Sequence, residues 1–304
     1  MSIRPVRSLS TTKPTIEGAG VRLQRAFGFG KTADFDPFLL FDDFRGDNPA
    51  DYSAGFPWHP HRGIETITYV LAGTVAHGDS LGNKGSLGAG DLQWMTAGSG
   101  ILHQEMPTGD SLGRMHGFQL WANLPASLKM TTPRYQDIPA AQIPEVTEDD
   151  GTHARILSGS FWGQRGPVQG VAADPQYLDI SVPPLARRSI PVETSRNAFA
   201  YVFAGAGSFR DASDPQPVLT ESATDPDAPA VPPTYEAGNR SLVLFDRGDE
   251  IVVQSGPEGI RFLLVTGPPL QEPVAWYGPI VMNTQAQLQQ AMDELRSGHF
   301  IKHP

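Results

Sequence analysis

The chain has no cysteine, no long apolar run and no excess of positive charge, and each absence excludes a class of protein. Without cysteine there are no disulfides, iron–sulfur clusters or thiolate zinc sites, so any metal must be held by imidazole and carboxylate groups. A membrane-spanning helix needs about 18 or more apolar residues, and no such run occurs. The formal net charge of −10 disfavours binding to a phosphate backbone. We therefore expect no nucleic-acid binding and no membrane insertion, and we predict a cytoplasmic location.

Glycine and proline are plentiful, with 32 and 28 copies in 304 residues. They stand singly between short apolar runs such as residues 66–71 and 241–245. This pattern is typical of short strands joined by turns, so we predict an all-β fold class. The one helix expected lies near the C-terminus, from Gln285 to Arg296. Thr284 would cap its start and Gly298 would end it.

A weak internal repeat indicates a duplicated β-domain. Tyr-Val-Leu-Ala-Gly at 69–73 is matched by Tyr-Val-Phe-Ala-Gly at 201–205. Further along each copy, Ala-Gly-Asp-Leu at 89–92 is matched by Arg-Gly-Asp-Glu at 247–250. Two short matches of this kind, in the same order, predict two domains.

The domain boundaries follow from composition. We predict an N-terminal barrel over residues 1–136, a connecting segment over 137–151 that contains prolines and several acids, and a C-terminal barrel over 152–304. A stretch at 211–233 is rich in Pro, Asp, Ala and Ser. Such a composition predicts a surface loop inserted into the second copy.

Two short pairs of potential metal ligands lie in the first half of the chain. His59 and His61 flank Pro60, and His103 and Glu105 are separated in the same way. Residues two apart on an extended chain point to the same face, so each pair can approach one ion. If the two strands face each other across a barrel, three imidazoles and one carboxylate surround a single ion. That ligand set suits iron, nickel, cobalt, copper, manganese or zinc.

The residues alone leave alternatives open. Glu65 has the same strand parity as His59 and His61, so it competes with Glu105 for the role of carboxylate ligand. An isolated His-x-His is more often a pair of surface histidines, and it is the second pair that favours a metal site. The remaining histidines have no such partner and are expected in turns, on the surface or in the tail: His77, His116, His153, His299 and His303.

Two kinds of neighbour could support such a site. Phe56 and Trp58 flank the first histidine pair and are candidates for lining a substrate pocket, although core packing would explain them equally well. Asp42 or Asp43 could orient a ligating histidine, with turn capping as the commoner role of acids in such a stretch. Spacing alone does not decide between these roles.

The chain resembles the pirin family of the cupin superfamily along nearly its whole length. The resemblance is carried by Asp-Pro-Phe-Leu at 36–39, His-Pro-His-Arg-Gly-Ile-Glu-Thr at 59–66, Gly-Asp-Leu-Gln-Trp-Met-Thr-Ala-Gly at 90–98, Gly-Ile-Leu-His-Gln-Glu at 100–105 and Glu-Pro-Val-Ala-Trp-Tyr-Gly-Pro at 272–279. It implies two cupin barrels, each a double-stranded β-helix or jelly roll, with a short C-terminal helix. It also implies that only the first barrel holds metal.

The resemblance implies one mononuclear divalent metal, with ferrous iron favoured over the other ions. By residue matching, its ligands are His59, His61, His103 and Glu105, and Glu65 supports the ligands from behind. The inserted stretch at 211–233 departs from the family pattern.

Two functions follow from the resemblance. Several pirins resemble quercetin 2,3-dioxygenases, which implies a small aromatic substrate such as a flavonol, opening of its ring with oxygen, and release of carbon monoxide. Glu105 would then act as the catalytic base. Other pirins resemble non-enzymatic regulators that bind a protein partner in a metal-dependent way. Zinc held for stability alone is the least favoured interpretation, because structural zinc sites are usually rich in cysteine.

Overall fold

The computed structural model describes residues 2–209 and 236–303. Strands dominate these residues, so the prediction of an all-β fold class is confirmed. The inserted stretch predicted at 211–233 lies outside the described residues.

Two compact units make up the chain, and each is built from separate stretches of sequence. The unit that contains all the predicted ligands is called the site unit, and the other is called the companion unit. The site unit comprises Thr12–Val146, Arg155–Leu178 and Gly267–Pro304. The companion unit comprises Met1–Thr11, Thr147–Ala154 and Asp179–Thr266. The domains over 1–136 and 152–304 stay a prediction from the sequence. The compact units of the structure have different bounds, because each combines three separate stretches of the chain.

The secondary structure consists of short strands with few helices. Short 3-10 helices lie at Pro49–Asp51, Ala126–Leu128 and Ala140–Gln142. In chain order the strands and α-helices are β1 (Val6–Thr11), β2 (Lys13–Glu17), β3 (Val21–Phe27), α1 (Thr32–Phe35), β4 (Phe38–Asp43), β5 (Phe56–His61), β6 (Ile64–Ala72), β7 (Thr74–Asp79), β8 (Lys84–Leu87), β9 (Leu92–Thr96), β10 (Ile101–Thr108), β11 (His116–Asn123), β12 (Arg134–Ile138), β13 (Glu145–Thr147), β14 (His153–Ser158), β15 (Ser160–Phe161), β16 (Gln164–Arg165), β17 (Gln176–Val182), β18 (Arg187–Pro191), β19 (Asn197–Phe209), β20 (Glu236–Gly238), β21 (Ser241–Phe245), β22 (Glu250–Gly267), β23 (Ala275–Tyr277), β24 (Ile280–Met282) and α2 (Gln285–Arg296).

Two antiparallel sheets form the barrel of the site unit. The larger has the strand order β12-β9-β6-β11-β4-β3-β2, and the smaller has the order β5-β10-β7-β8. Side chains from both sheets line one cavity. A buried apolar cluster joins the two sheets: Val21, Leu23, Phe44, Tyr52, Val70, Val75, Leu87 and Met115. Several of these residues also line the cavity, so part of its wall is packed apolar core.

The C-terminal helix α2 spans Gln285–Arg296, which confirms the predicted helix. The Thr284 side chain accepts a hydrogen bond from the backbone N–H of Gln287, and the Gln287 side chain accepts one from the backbone N–H of Thr284. The helix therefore starts with a capping box. The apolar face packs on β23, β24 and Phe300. The one-turn helix α1 was not predicted, because four residues are too few to show a helical period. Neither helix among the described residues has the length and apolarity to cross a membrane.

The companion unit is also mainly antiparallel sheet. Its strands β1, β21, β19 and β22 are neighbours in that order, with β18 added to β22 and β20 added to β19. Tyr201 of the sequence repeat is fully buried in β19, as Tyr69 is in β6 of the site unit. Strands β13, β14 and β17 each contain a boundary between the units.

Candidate metal centre

The two ligand-bearing strands are direct neighbours in one sheet. Strand β5 pairs with β10, and the register places His59 opposite His103 and His61 opposite Ile101. The expectation that these strands face each other across a barrel is therefore wrong. The side chains still converge, because residues paired on neighbouring antiparallel strands point to the same face with Cβ atoms about 5 Å apart.

Three imidazoles form a compact cluster. The ring centroids of His59, His61 and His103 lie 4.3–4.9 Å apart, and one ring nitrogen from each falls within 4.8 Å of the others. The Nε2 atoms of His59 and His61 are 3.1 Å apart. His61 and His103 are buried, and His59 is half-buried. Within residues 2–209 and 236–303, no other three potential ligands approach one another in this way.

The surroundings of His61 and His103 favour their neutral forms. Burial lowers the pKa of both His61 and His103 well below the usual value, and the neighbouring His59 lowers it further. His59 Nδ1 lies 2.8 Å from the Pro57 carbonyl oxygen, so this nitrogen donates and Nε2 presents a lone pair. His103 Nε2 is buried without a hydrogen-bond partner. Lone pairs that converge on one point, and a buried nitrogen left unsatisfied, are what a bound cation would complete.

Glu105 lies beside the imidazoles but outside the three-nitrogen cluster. A register shift between His103 and Glu105 places Glu105 opposite Phe56, so the pairing is irregular between the two predicted ligands. Its Oε1 atom accepts a hydrogen bond from Thr68 at 3.2 Å. The same hydroxyl lies 2.8 Å from Gln119 Oε1, so its one proton is shared between two acceptors. Burial raises the pKa of Glu105, against the opposing effect of His59.

Glu65 points away from the histidine cluster. Its Oε1 atom accepts a hydrogen bond from Thr96 at 2.8 Å, and burial raises its pKa. Gly63 adopts a φ of +76° in the turn between β5 and β6, so the alternation of side chains is not carried from one strand into the next. Thr68, three residues further and thus on the opposite face of β6, lines the cavity. The sequence argument that placed Glu65 on the same face as His59 and His61 therefore does not apply.

Asp42 lies in the cavity wall and binds an arginine rather than a histidine. Arg25 donates from Nε and Nη2 to the two Asp42 oxygens at 2.8 and 2.7 Å, and Arg25 Nη1 lies 2.8 Å from Glu17. Burial raises the pKa of Asp42 to about 6, although the arginine opposes this rise. Asp43 accepts hydrogen bonds from Arg45.

The cavity above the imidazoles has a volume of about 480 Å³. Both predicted lining residues border it: Phe56 is half-buried and packs against the core, and Trp58 is 54% exposed. Trp121 adds a ring that meets His61 edge-on, with centroids 5.1 Å apart. The other aromatic lining residues are Phe29, Phe44 and Tyr52. The site therefore combines metal-binding nitrogens with an aromatic pocket.

A second group of residues lies behind the ligands and could not be predicted from local sequence patterns. His77 lies opposite Glu105 on β7 and is buried, so its expected place at a turn or surface is wrong. Its ring stacks on Tyr135 at 5.6 Å, and Nε2 lies 3.5 Å from Asp137. The Tyr135 hydroxyl reaches His103 Nδ1 at 3.5 Å. These residues lie on β7, β10 and β12, which belong to two different sheets, so no local spacing would have revealed their contacts.

The fold and the site together define a class of protein. An antiparallel barrel of two sheets, with a cluster of three imidazoles of which two line its cavity, is a metal-binding barrel of the cupin type. The comparison with family models is more specific. The Pirin model matches residues 20–122, and the model described as the Pirin C-terminal cupin domain matches residues 177–301.

The chain belongs to the pirin family, and the prediction of two cupin domains is confirmed. It is 42% identical to a pirin-like protein of Caulobacter vibrioides, over 99% of this chain and 100% of that protein. It is 38% identical to Pirin of Homo sapiens, over 92% of this chain and 88% of that protein. The solved structure of a quercetin 2,3-dioxygenase from Acinetobacter baumannii is similar with a TM-score of 0.83 and 28% identity, covering 98% of this chain and 99% of that one.

Proposed function

We propose that this protein is a metal-dependent dioxygenase of the quercetin 2,3-dioxygenase type. His59, His61 and His103 hold one divalent ion, and Glu105 completes the site as a ligand or as a base. Ferrous iron is the favoured ion, although the same donors also suit nickel, cobalt, copper, manganese and zinc. The substrate is a flavonol, whose ring is opened by oxygen with release of carbon monoxide.

The observation that carries this proposal is an aromatic cavity that ends at the imidazole cluster. Its volume of about 480 Å³ lies in the range of pockets that bind small molecules. Rings at the mouth and on the wall, such as Trp58, Phe56 and Trp121, offer flat apolar surfaces to a planar aromatic substrate. The similarity to the quercetin 2,3-dioxygenase structure supports the same assignment.

The side chains around the cluster are suited to move one proton. A metal held by the three imidazoles would supply Lewis acidity and orient the substrate's oxygen atoms. The Glu105 carboxylate lines the cavity beside the imidazoles and is placed to accept the proton of the flavonol 3-hydroxyl. Thr68 Oγ1 lies 3.2 Å from Glu105 Oε1 and helps to hold the carboxylate in place. The surrounding aromatic wall keeps water away from the reacting groups.

The test is oxygen uptake with quercetin. Protein loaded anaerobically with ferrous iron is compared with the same protein after chelation, and the ring-opened product and carbon monoxide are quantified. We expect uptake only with metal. His103→Ala should lose both metal and uptake, whereas the matched control His116→Ala should keep both, because His116 binds Asp47 outside the cavity.

A null result has a defined meaning. Iron-replete protein that consumes no oxygen with quercetin would contradict the dioxygenase proposal and would favour the regulatory alternative. In that case, partner binding should depend on metal, which is measured by capture of partners with and without chelator. Metal-free protein with full activity would also contradict the proposed role of the histidines.

A further inference from the structure

The C-terminal end of the site unit contacts the turn that directly follows the ligand His61. Residues 275–301, which contain β23, β24, α2 and Phe300, are called the C-terminal strap. Arg62 and Ile280 form a parallel bridge, in which the Arg62 N–H donates to the Pro279 carbonyl at 3.4 Å and the Val281 N–H donates to the Arg62 carbonyl at 3.0 Å. The backbone beside His61 is thus paired with the strap.

The Arg62 side chain reaches further along the strap and binds it at two points. Its guanidinium donates from Nη1 to Glu294 Oε2 and from Nη2 to the Phe300 carbonyl, both at 2.7 Å. The group also lies over the Phe300 ring, 4.2 Å from its centroid. Arg62 is only 2% exposed, so these contacts are largely shielded from solvent. One side chain therefore ties the turn after His61 to the helix and to the chain beyond it.

The same Phe300 carbonyl lies against the second ligand-bearing strand. Gly100 comes directly before β10, which carries His103, and a Cβ atom at Gly100 would lie 2.8 Å from the Phe300 oxygen. The backbone of Gly100 has a φ of +134°, a conformation that only glycine adopts easily. The strap thus packs closely against the start of β10 and holds the turn at the end of β5.

A buried lysine reinforces the contact on the β5 side. Lys129 Nζ donates to the carbonyls of Gly63 and Val281, which lie on opposite sides of the junction. The backbone at Gly63 approaches Val281 so closely that a Cβ atom would overlap its oxygen. The strap therefore cannot shift without moving the residues that follow His61.

We propose that Arg62 is a positioning residue of the metal centre, which holds His61 close to His103 by fastening both ligand-bearing strands to the C-terminal strap. The inference rests on the proposed metal site but not on the dioxygenase reaction. An arginine suits this task because its planar group makes two hydrogen bonds in fixed directions, whereas a lysine makes a point contact. Groups that orient metal ligands from behind commonly change metal affinity by about 10- to 100-fold when they are replaced.

The proposal has a reciprocal consequence. If the strap improves the geometry of the ligands, metal binding must in turn stabilise the strap by the same factor. A role of Arg62 in folding alone would lower stability but would leave the affinity of the folded protein for metal unchanged. Metal affinity and the spectrum of a bound ion therefore separate the two roles.

The experiment measures nickel(II) affinity by competition with a chromophoric chelator, and cobalt(II) absorption as a report on ligand geometry. Arg62→Met should weaken nickel binding at least about 10-fold and shift the cobalt spectrum, while Arg62→Lys should be intermediate. The matched control is Lys302→Met, which removes the other cation bound to Glu294, at 2.9 Å, without touching Arg62. It should keep affinity within about 2-fold, as expected for a partly exposed ion pair.

A second measurement uses the unaltered chain, in case Arg62→Met does not fold. Hydrogen exchange with and without nickel(II) should show metal-dependent protection of the Val281 amide and of the amides of α2. Unchanged exchange there, or an Arg62→Met protein with wild-type affinity and spectrum, would overturn the proposal. Wild-type protein that binds metal but consumes no oxygen with quercetin would contradict only the dioxygenase function.

Discussion

The pKa values of individual residues at the site are shifted in opposite directions. Burial and the neighbouring His59 lower the pKa of His61 and His103, whereas burial raises the pKa of Glu105 and Asp42. A cation bound by the imidazoles would reverse the preference of Glu105, because a nearby positive charge stabilises the carboxylate. The protonation state of Glu105 therefore depends on whether the metal is bound.

At this scale, Glu105→Gln tests the roles of ligand and base separately. We expect the three imidazoles to retain metal in this variant, while turnover of quercetin falls about 100-fold or more, the usual range for loss of a general base. The matched control is Glu65→Gln, which removes a buried carboxylate that binds Thr96 and should leave turnover nearly unchanged. Metal content and oxygen uptake are measured for both. Normal turnover by Glu105→Gln would show that this residue is not the base.

Lys129 predicts a dependence of stability on pH. Burial lowers its pKa to about 7 in the folded protein, from 10.5 when exposed. Between these values the unfolded chain binds more protons, so the free energy of unfolding should rise as the pH increases from about 7 towards 10.5. The rise from this residue is at most about 1.4 kcal/mol per pH unit. Urea unfolding at pH 7 and pH 9 should show it, and Lys129→Met should lose it. Equal slopes in the two proteins would contradict the prediction.

At the scale of secondary-structure elements, the site depends on how strands join. The register shift between β5 and β10 and the turn between β5 and β6 decide which side chains face the cavity. The turn is possible because Gly63 adopts a positive φ and leaves room for Val281 of β24. Strand β24 can therefore approach this turn closely only because residue 63 is a glycine.

Gly63→Ala should disrupt the junction between these elements. The added methyl group would overlap the Val281 oxygen and strain the backbone, and we expect a loss of about 3 kcal/mol in stability, together with weaker metal binding. Gly298→Ala is the matched control. Its φ of +77° is equally unfavourable, but no atom lies within 4 Å of the new methyl group, so only about 1 kcal/mol should be lost. Urea unfolding compares the two variants, and equal losses would argue against the steric explanation.

At the scale of the whole molecule, a bound metal should stabilise the unit that contains the histidines. A ligand that binds only the folded state adds about 2.7 kcal/mol when its concentration is 100 times Kd. We expect nickel(II) to raise the midpoint of thermal unfolding of the wild-type protein, as followed by calorimetry. His103→Ala should show no such rise, and His116→Ala should respond as the wild type does. A rise in the His103→Ala protein would place the ion elsewhere.

Much of the architecture could be predicted from local patterns. Turn residues between short apolar runs indicated strands, and the spacing of Leu288 and Ala291 with a Thr284 cap indicated α2, since both signals depend on near neighbours. The two ligand pairs, His59 with His61 and His103 with Glu105, could be recognised for the same reason. The one-turn helix α1 was missed because it is too short to show a helical period, and the burial of His77 was missed because it depends on contacts between distant parts of the chain.

The sequence by itself determined the all-β class, the C-terminal helix, the absence of thiol ligands and the identity of the three histidines, because each follows from composition or from spacing within one element. Only the tertiary structure decided that β5 and β10 are neighbours, that Glu65 points away from the cluster, and that Arg62 fastens the C-terminal strap beside His61. Strand pairing and the direction of a chain after a turn are set by long-range packing. A local pattern of residues does not contain that information.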